Sequence, residues 1–285
     1  MKQIVVISGK GGTGKTTVAA SFAALARDKV VVDCDVDAAD LYILLKPTTL
    51  EQHAFVGSKV AVIDSERCIG CGQCSEACRF DAIDAQFVVD PGSCEGCGLC
   101  SRICPADAIA MHDKQSGEWF VSSTAYGPFV HAKLGIAEEN SGKLVSLLRQ
   151  NAQAIAERQQ CGTIIIDGSP GIGCAVIASL TGADLVLIVT EPTLSGLHDL
   201  LRVVELARHF HSKIAVAVNK YDLNIEMTRQ IEDACRQQDL ALAGRIPYDP
   251  VVTEAMVARK TVVEYSSGEA ARQLRALWET VDRQC

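Results

Sequence analysis

Eight cysteines occur in two nearly identical runs in the middle of the chain. The first run reads CIGCGQCSEACRFDAI at 68–83, and the second reads CEGCGLCSRICPADAI at 94–109. Each run has the spacing C-x2-C-x2-C-x3-C, in which three close thiolates can wrap one face of a [4Fe–4S] cluster. Glycines between the cysteines let backbone N–H groups approach the cluster sulfurs. The spacing therefore predicts two [4Fe–4S] clusters and electron-carrying chemistry.

The duplicated run resembles that of two-cluster bacterial ferredoxins, in which the fourth cysteine of each run binds the other cluster. The resemblance implies that one cluster is held by Cys68, Cys71, Cys74 and Cys104, and the other by Cys94, Cys97, Cys100 and Cys78. Pro105 follows the last cysteine of the second run, whereas Arg79 occupies this place in the first, where its charge could raise one cluster's potential. Structural zinc is the alternative, although zinc usually takes C-x-x-C pairs that are separated by a longer loop.

A glycine-rich segment near the N-terminus could bind the phosphates of a nucleotide. ISGKGGTGKTT follows a short apolar strand, opens a helix and satisfies the pattern G-x-x-x-x-G-K-[ST]. Backbone N–H groups of such a loop surround phosphate oxygens. The predicted nucleotide-binding residues of this loop are Gly9, Lys10, Gly11, Gly12, Thr13, Gly14, Lys15, Thr16 and Thr17. Lys15 is expected to neutralise the β- and γ-phosphates, and Thr16 is expected to bind Mg²⁺.

The first lysine of this loop carries a second resemblance. KGGTGKT at 10–16 is similar to the deviant Walker A sequence KGGxGK[ST] of the MinD/ParA/nitrogenase-iron-protein superfamily. The resemblance implies an ATP-sandwich homodimer in which Lys10 reaches the phosphates bound by the partner protomer. Lys10 and Lys15 are then both catalytic, and the working unit is the dimer.

Two aspartate-containing segments resemble the switches of the same superfamily. VVVDCDVDAADL matches the first switch, which implies that Asp35 is catalytic, orients the attacking water and contributes to the Mg²⁺ site, with Asp33 in support. IIIDGSPG matches the second switch and Walker B, which implies that Asp167 holds the Mg²⁺ shell. Gly171 is expected to present its backbone N–H to the γ-phosphate.

The residues expected around the nucleotide base distinguish less clearly between adenine and guanine. Asn219, Lys220, Tyr221 and Asp222 form N-K-x-D, which reads guanine in GTPases. In the MinD-like branch an asparagine at this strand end contacts adenine, and the residues after the next strand enclose the base. The resemblance therefore implies base contacts from Asn219, Pro247, Tyr248 and Asp249. It favours ATP, with GTP as the alternative.

Apolar strands alternate with amphipathic helices outside the cysteine-rich region. This alternation predicts an α/β fold with a mostly parallel sheet and helices on both faces. We expect a P-loop ATPase domain from residues 1–57 and 119–285, and a small α+β ferredoxin-like domain inserted at 58–118. Insertion into a surface loop requires the two ends of the insert to lie close together. The insert falls between the two switch sequences.

Composition excludes several functional classes. The 285 residues carry a net charge of −8, which argues against a basic face for nucleic acid. No secretory signal is visible, and no apolar run approaches the ~20 residues of a membrane span. We therefore expect a cytoplasmic protein. Thirteen cysteines is a high count for such a protein, but the reducing compartment, the odd number and the length of the chain oppose a disulfide framework. Cys174 lies seven residues after Asp167, like one cluster ligand of the nitrogenase iron protein, but the second cysteine that such a bridging cluster needs is missing, so we expect a buried core thiol at Cys174.

Over nearly its whole length the chain resembles MinD/ParA-superfamily ATPases with an inserted two-cluster domain. The resemblance implies a slow, partner-regulated ATPase whose nucleotide-dependent homodimer gates electron transfer or docking of a redox or metallocofactor protein. One alternative is a metallocofactor assembly scaffold like the Mrp/Nbp35-like relatives, although their C-terminal C-x-x-C is missing here. A MinD-like positioning ATPase is the other alternative, but it does not explain the two clusters.

Overall fold

Strands and helices alternate along most of the chain. The computed structural model describes residues 1–135 and 141–285. The strands are β1 (Lys2–Ser8), β2 (Lys29–Asp33), β3 (Thr48–Ile63), β4 (Ile109–Thr124), β5 (Gly127–Leu134), β6 (Thr163–Pro170), β7 (Leu185–Thr190), β8 (Lys213–Asn219) and β9 (Ala241–Ile246). The α-helices are α1 (Lys15–Leu25), α2 (Leu41–Leu45), α3 (Gln73–Ala77), α4 (Leu99–Ile103), α5 (Ser141–Gln159), α6 (Cys174–Leu180), α7 (Leu194–Arg208), α8 (Ile225–Gln237), α9 (Val251–Val257), α10 (Val262–Tyr265) and α11 (Glu269–Gln284).

The strands form one sheet in the order β3-β4-β5-β2-β6-β1-β7-β8-β9. β1 lies between β6 and β7 and is parallel to both, and the pairs β2–β5, β2–β6, β7–β8 and β8–β9 are also parallel. Parallel neighbours bring the carboxyl ends of β1, β2, β6, β7 and β8 to one edge of the sheet. Every loop that carries a predicted nucleotide-binding residue at a strand end starts from this edge or from the end of β9.

Both faces of the central strands are buried. Ile4 and Val6 of β1 belong to a core cluster that includes side chains of α1, α10 and α11. Val5 and Ile7 alternate to the opposite face and are also fully buried. Helices α5, α6 and α7 pack on β2, β6 and β7. The predicted α/β fold with a mostly parallel sheet is confirmed.

The structure differs from the sequence-based prediction in two places. The sequence before Pro47 predicts a short helix over 37–46, but the helix spans only Leu41–Leu45, because residues Asp35–Ala38 form a turn and Asp33 accepts the Leu41 N–H. Strands β3, β4 and β5 were not expected. The first five residues of β3 are all exposed, so they lack the period-two alternation that marks a half-buried strand. Their strand conformation depends on pairing with residues that are distant in sequence.

The chain divides into two compact units. One consists of Met1–Gln52, Trp119–Ala132 and Ser141–Cys285, and the other of His53–Glu118 with the segment that begins at Lys133. The second unit contains the predicted insert 58–118, whose ends are close together because Ser58 Oγ and Ser116 Oγ are 2.8 Å apart. The boundaries between the units fall within strands. The predicted range 119–285 also includes residues 136–140, which lie outside the described residues.

His131 of β5 is enclosed by aromatic rings. Its ring stacks on Phe120 and Phe129, with centroid distances of 5.0 and 4.6 Å, and its Nε2 lies 3.1 Å from Ser122 Oγ. Burial lowers the pKa of His131 to about 4. The folded protein therefore holds a neutral imidazole at a pH where an unfolded histidine is protonated.

We expect this histidine to make the fold acid-sensitive. Because the pKa of His131 is lower in the folded state, its contribution is complete above the unfolded pKa and is lost as pH falls toward about 4. Between pH 7.5 and 5 this amounts to about 2 kcal/mol of unfolding free energy. Urea unfolding at the two pH values should give a smaller loss for His131→Gln than for the wild type. His198→Gln, whose side chain is exposed, is the control and should behave like the wild type.

Candidate functional site

The phosphate loop runs from the end of β1 to the start of α1. Gly14 has φ +93° and a Cβ at this position would lie 2.3 Å from Asn219 Nδ2, so glycine is required. Gly14 is also the N-cap of α1 and provides no side-chain cap. The first N–H groups of this eleven-residue helix are therefore free to bind an anion. Lys15 and Thr16 lie in this first turn, as predicted for a phosphate site.

Lys15 is surrounded by three buried carboxylates. Its Nζ forms an ion pair with Asp35 Oδ2 and lies 3.8 Å from Asp167 Oδ1. Asp33, at the end of β2, is the third, and all three aspartates are at most 6% exposed. The sequence-predicted residues of both switches are thus brought together at the phosphate loop. One ammonium against three carboxylates leaves an excess of buried negative charge.

Burial raises the pKa values of these three carboxyl groups. It raises the pKa of Asp167 to about 6, although Lys15 opposes the shift, and it raises the pKa of Asp33 and Asp35 as well. For Lys15 burial lowers the pKa, but Asp167 and Asp35 outweigh this effect and raise it.

The donor set at this point fits Mg²⁺. Both carboxylate oxygens of Asp167 are buried and accept no hydrogen bond from the described residues. Such unpaired oxygens are costly unless a cation or donor meets them. The nearby Thr16 hydroxyl, 3.5 Å from Lys15 Nζ, adds an oxygen ligand of the kind that Mg²⁺ prefers. Asp35 is the third predicted ligand, and it is currently paired with Lys15.

The backbone N–H of Gly171 is already hydrogen-bonded within the protein. Its N–H donates to the Ser8 carbonyl at 2.8 Å, and its φ is +90°. A contact between this N–H and a γ-phosphate therefore requires that hydrogen bond to break. Asp33 accepts the N–H groups of Asp35 and Leu41, so its role here is to hold the first switch.

The predicted base-binding residues are largely engaged with the protein itself. Asn219 Nδ2 donates to the Thr13 carbonyl at 2.7 Å, so this side chain braces the phosphate loop. Asp222 Oδ1 accepts the Tyr248 N–H at 2.7 Å. Asp249 Oδ1 accepts the Val251 N–H at the start of α9. The Tyr248 side chain is 54% exposed and open to a ligand, and Pro247 precedes it.

A residue that the sequence-based prediction missed lies beside the loop. Glu191 directly follows β7, and its carboxylate contacts Lys10 Nζ at 2.7 Å and Lys220 Nζ at 3.1 Å. Lys220 Nζ also donates to the Gly12 carbonyl at 3.0 Å. An acidic residue at the carboxyl end of a buried strand was the available signal, the same one that identified Asp167.

The eight cysteines of the two runs line two separate cavities in the second unit. One cavity, of about 20 Å³, is lined by Cys68, Cys71, Cys74 and Cys104. The other, of about 310 Å³, is lined by Cys78, Cys94, Cys97 and Cys100, and also by Arg79 and Glu95. Each cavity therefore combines three cysteines of one run with the fourth cysteine of the other. This is the same division of the cysteines that the ferredoxin resemblance implies.

The two halves of the second unit have equivalent local geometry. The two short helices α3 and α4 start after Gly72 and Gly98, whose φ values are +78° and +72°. Ser75 Oγ donates to the Ile83 carbonyl, and Ser101 Oγ makes the equivalent bond to Ile109, 26 residues later in both cases. The duplicated sequence thus folds as a duplicated structure.

The thiols of the described residues form no site for a single metal ion. Within residues 1–135 and 141–285, no three or more His, Cys, Asp or Glu side chains are placed to hold one metal ion. A structural zinc needs four ligands around one atom. In a [4Fe–4S] cluster each thiolate binds a different iron, so the four sulfurs are spread around a larger body.

The five cysteines outside the two runs differ from one another in burial. Cys34 and Cys235 are buried, Cys161 and Cys285 are partly buried, and Cys174 is exposed at the start of α6. The prediction of a buried core thiol at Cys174 is therefore wrong. In the part of the chain that the structure describes, no helix combines the length and the apolar character needed to cross a membrane.

Comparison with known proteins identifies the family of this chain. The family model of the CobQ/CobB/MinD/ParA nucleotide binding domain matches residues 4–262. An uncharacterized Methanocaldococcus jannaschii protein, MJ0578, is 31% identical over 97% of this chain and 95% of its own length, and MJ0579 of the same organism is 25% identical over 93% of each. The structure of the septum site-determining protein MinD of Pyrococcus horikoshii, complexed with Mg-ADP, has a TM-score of 0.62 at 20% identity and covers 99% of this chain and 96% of its own. The chain belongs to the CobQ/CobB/MinD/ParA nucleotide-binding domain family.

Proposed function

We propose that this chain is an ATP-hydrolysing iron–sulfur protein, in which a nucleotide-dependent homodimer gates electron transfer or partner docking through two [4Fe–4S] clusters. The observation that carries the proposal is the pair of cavities, each lined by four cysteines, in a chain that also has a complete phosphate loop. The thirteen cysteines suit a reducing compartment, so we place the protein in the cytoplasm.

The nucleotide reaction is the attack of water on the γ-phosphorus of ATP, in line with the bond to the bridging oxygen that leaves with ADP. Lys15 neutralises charge that develops on the phosphates, and Lys10 of the partner protomer adds to it. Asp35 is freed from Lys15 and orients the attacking water. Thr16, Asp35 and Asp167 would hold Mg²⁺, which would neutralise charge on the phosphate oxygens.

Adenine is the preferred base in this proposal. In N-K-x-D GTPases the aspartate must accept hydrogen bonds from guanine, whereas Asp222 Oδ1 here accepts the Tyr248 N–H. Asn219 is likewise committed to Thr13 and Lys220 through its amide N–H and its Oδ1. A motif that holds its own loops in this way supports a role in shaping the pocket and not in reading guanine.

The cysteines of the two cavities hold the clusters, which when bound accept and release single electrons. One side of these sites is apolar, because the buried residues Ala61, Cys74, Ile83 and Ile109 form a hydrophobic cluster in this unit. A unit with so small an apolar core needs its metal clusters for stability. The clusters are therefore structural as well as electron-carrying.

The experiment is an anaerobic electron-transfer assay. The protein, reduced chemically, is mixed with an artificial one-electron acceptor in the presence of Mg-ATP, Mg-ADP or no nucleotide. We expect the transfer rate to differ severalfold between nucleotide states, and the difference to disappear in Lys15→Ala. Equal rates in all states would contradict the gating, while iron and sulfide analysis separately tests whether the clusters exist.

A positioning ATPase is the second candidate, favoured by the likeness to the cell-division protein MinD. In that case ATP would switch binding to a surface or to a protein complex, and vesicle and partner pull-down assays with and without ATP would detect it. A metallocofactor scaffold would instead release its clusters to an apo-acceptor. Clusters that stay bound in such a transfer assay support the electron-transfer proposal.

A further inference from the structure

Lys10 makes a complete set of contacts within its own protomer. Its Nζ lies 2.7 Å from Glu191 Oε1, 2.9 Å from Ser195 Oγ and 3.2 Å from Thr193 Oγ1. A lysine ammonium has three N–H donors, and three acceptors are provided here. Its side chain is only 29% exposed. Lys10 therefore cannot contact phosphates of a second protomer without giving up these partners.

Glu191 is the only charged member of this set of acceptors. It comes directly after β7, whereas Thr193 and Ser195 belong to the start of α7. Its second oxygen contacts Lys220 Nζ at 3.1 Å. Burial raises the pKa of Glu191, but hydrogen bonds from Lys10 and Lys220 outweigh burial and lower it, so the carboxylate is ionised at neutral pH.

The position of Glu191 is well defined by the fold. Gly9 packs so closely on α7 that a Cβ there would lie 2.4 Å from Asp199 Cβ. Lys220 Nζ also binds the Gly12 carbonyl, which joins the end of β8 to the phosphate loop. The loop, α7 and the end of β8 therefore meet around one carboxylate.

We propose that Glu191 is a positioning residue that retains Lys10 in its own protomer and so opposes nucleotide-dependent dimerisation. This inference rests on the proposed function, because it requires a dimer in which Lys10 acts on the partner's nucleotide. Phosphates of the partner compete with Glu191 for one ammonium. A triphosphate carries one more charged phosphate group than a diphosphate, so it competes better with the single carboxylate and favours the dimer more strongly.

The test measures the dimer dissociation constant by sedimentation velocity with Mg²⁺ and a non-hydrolysable ATP analogue. Glu191→Gln keeps an acceptor of the same shape but removes its charge, and a charge-assisted hydrogen bond is about twice as strong as a neutral one. We expect dimerisation about fivefold tighter than in the wild type. Ser195→Ala removes one neutral acceptor and does not contact Lys220, so we expect a smaller tightening of about twofold.

The controls separate this inference from the function on which it rests. Glu205→Gln removes the same charge from an exposed site on α7 and should leave the dissociation constant unchanged. Lys10→Ala should abolish the dimer, and if it does not, or if the wild type does not dimerise, the sandwich dimer itself is wrong. If Lys10→Ala abolishes the dimer, but neither Glu191→Gln nor Ser195→Ala dimerises more tightly than the wild type, only the proposed role of Glu191 is wrong. Damage to the fold weakens association, so it cannot imitate the expected tightening.

Discussion

Replacing Lys15 by alanine is expected to reduce ATP hydrolysis at least 100-fold, on the order of the loss seen when one preorganised charge-stabilising donor is removed. Lys15 is 7% exposed and is the cation nearest to Asp35 and Asp167. Its removal takes away both the charge that meets the phosphates and the partner that holds Asp35. The measurement is steady-state release of phosphate at saturating Mg-ATP, together with binding of Mg-ADP.

The same substitution is expected to destabilise the nucleotide-free protein. Three buried carboxylates would lose the ammonium they share, and breaking a buried ion pair from one side costs about 3 kcal/mol. Asp33, Asp35 and Asp167 have raised pKa values, so they take up protons more readily as pH falls, and the loss of stability should be smaller at lower pH. Thermal unfolding at pH 8 and pH 5.5 checks this.

The control for Lys15→Ala is Lys213→Ala. Lys213 is an exposed lysine at the start of β8 whose Nζ contacts the Gln284 carbonyl, far in sequence from the phosphate loop. We expect this variant to hydrolyse ATP at the wild-type rate. Equal rates in Lys15→Ala and the wild type, with both folded, would exclude ATP hydrolysis at this loop.

Replacing Cys104 by serine is expected to remove one cluster and leave about half of the iron. Cys104 belongs to the second run in sequence, but it lines the cavity of Cys68, Cys71 and Cys74. The cluster that disappears should therefore be the one held by the first run. Iron and sulfide analysis of anaerobically purified protein, with EPR of the reduced state, gives the result.

Double substitutions decide between crossed and uncrossed ligation. If ligation is crossed, Cys104→Ser with Cys68→Ser damages a single cluster, and about half of the iron remains. Cys104→Ser with Cys94→Ser then damages both clusters, and nearly all iron is lost. If each run binds its own cluster, these two outcomes exchange places. Cys174→Ser, which changes an exposed cysteine outside both cavities, should retain the full iron content.

The sequence by itself determined the features that depend on short-range spacing. The strand–loop–helix of residues 3–27 and the two cysteine runs were recognised because phosphate and cluster binding require particular residues a few positions apart. The parallel α/β fold followed from hydrophobic periodicity, which needs no knowledge of distant contacts.

Tertiary structure decided the features that depend on residues far apart in the chain. Lys10 is held by Glu191, and Asn219 is committed to Thr13 O, pairs that no local pattern brings together. The exposed first part of β3 becomes a strand through sheet pairing, not through its own alternation. The duplicated CxxCxxCxxxC runs identified the eight candidate ligand cysteines from sequence alone. Only the packing of the two halves against each other placed four cysteines at each cavity, because the fourth cysteine of each run lines the cavity that holds the first three cysteines of the other run.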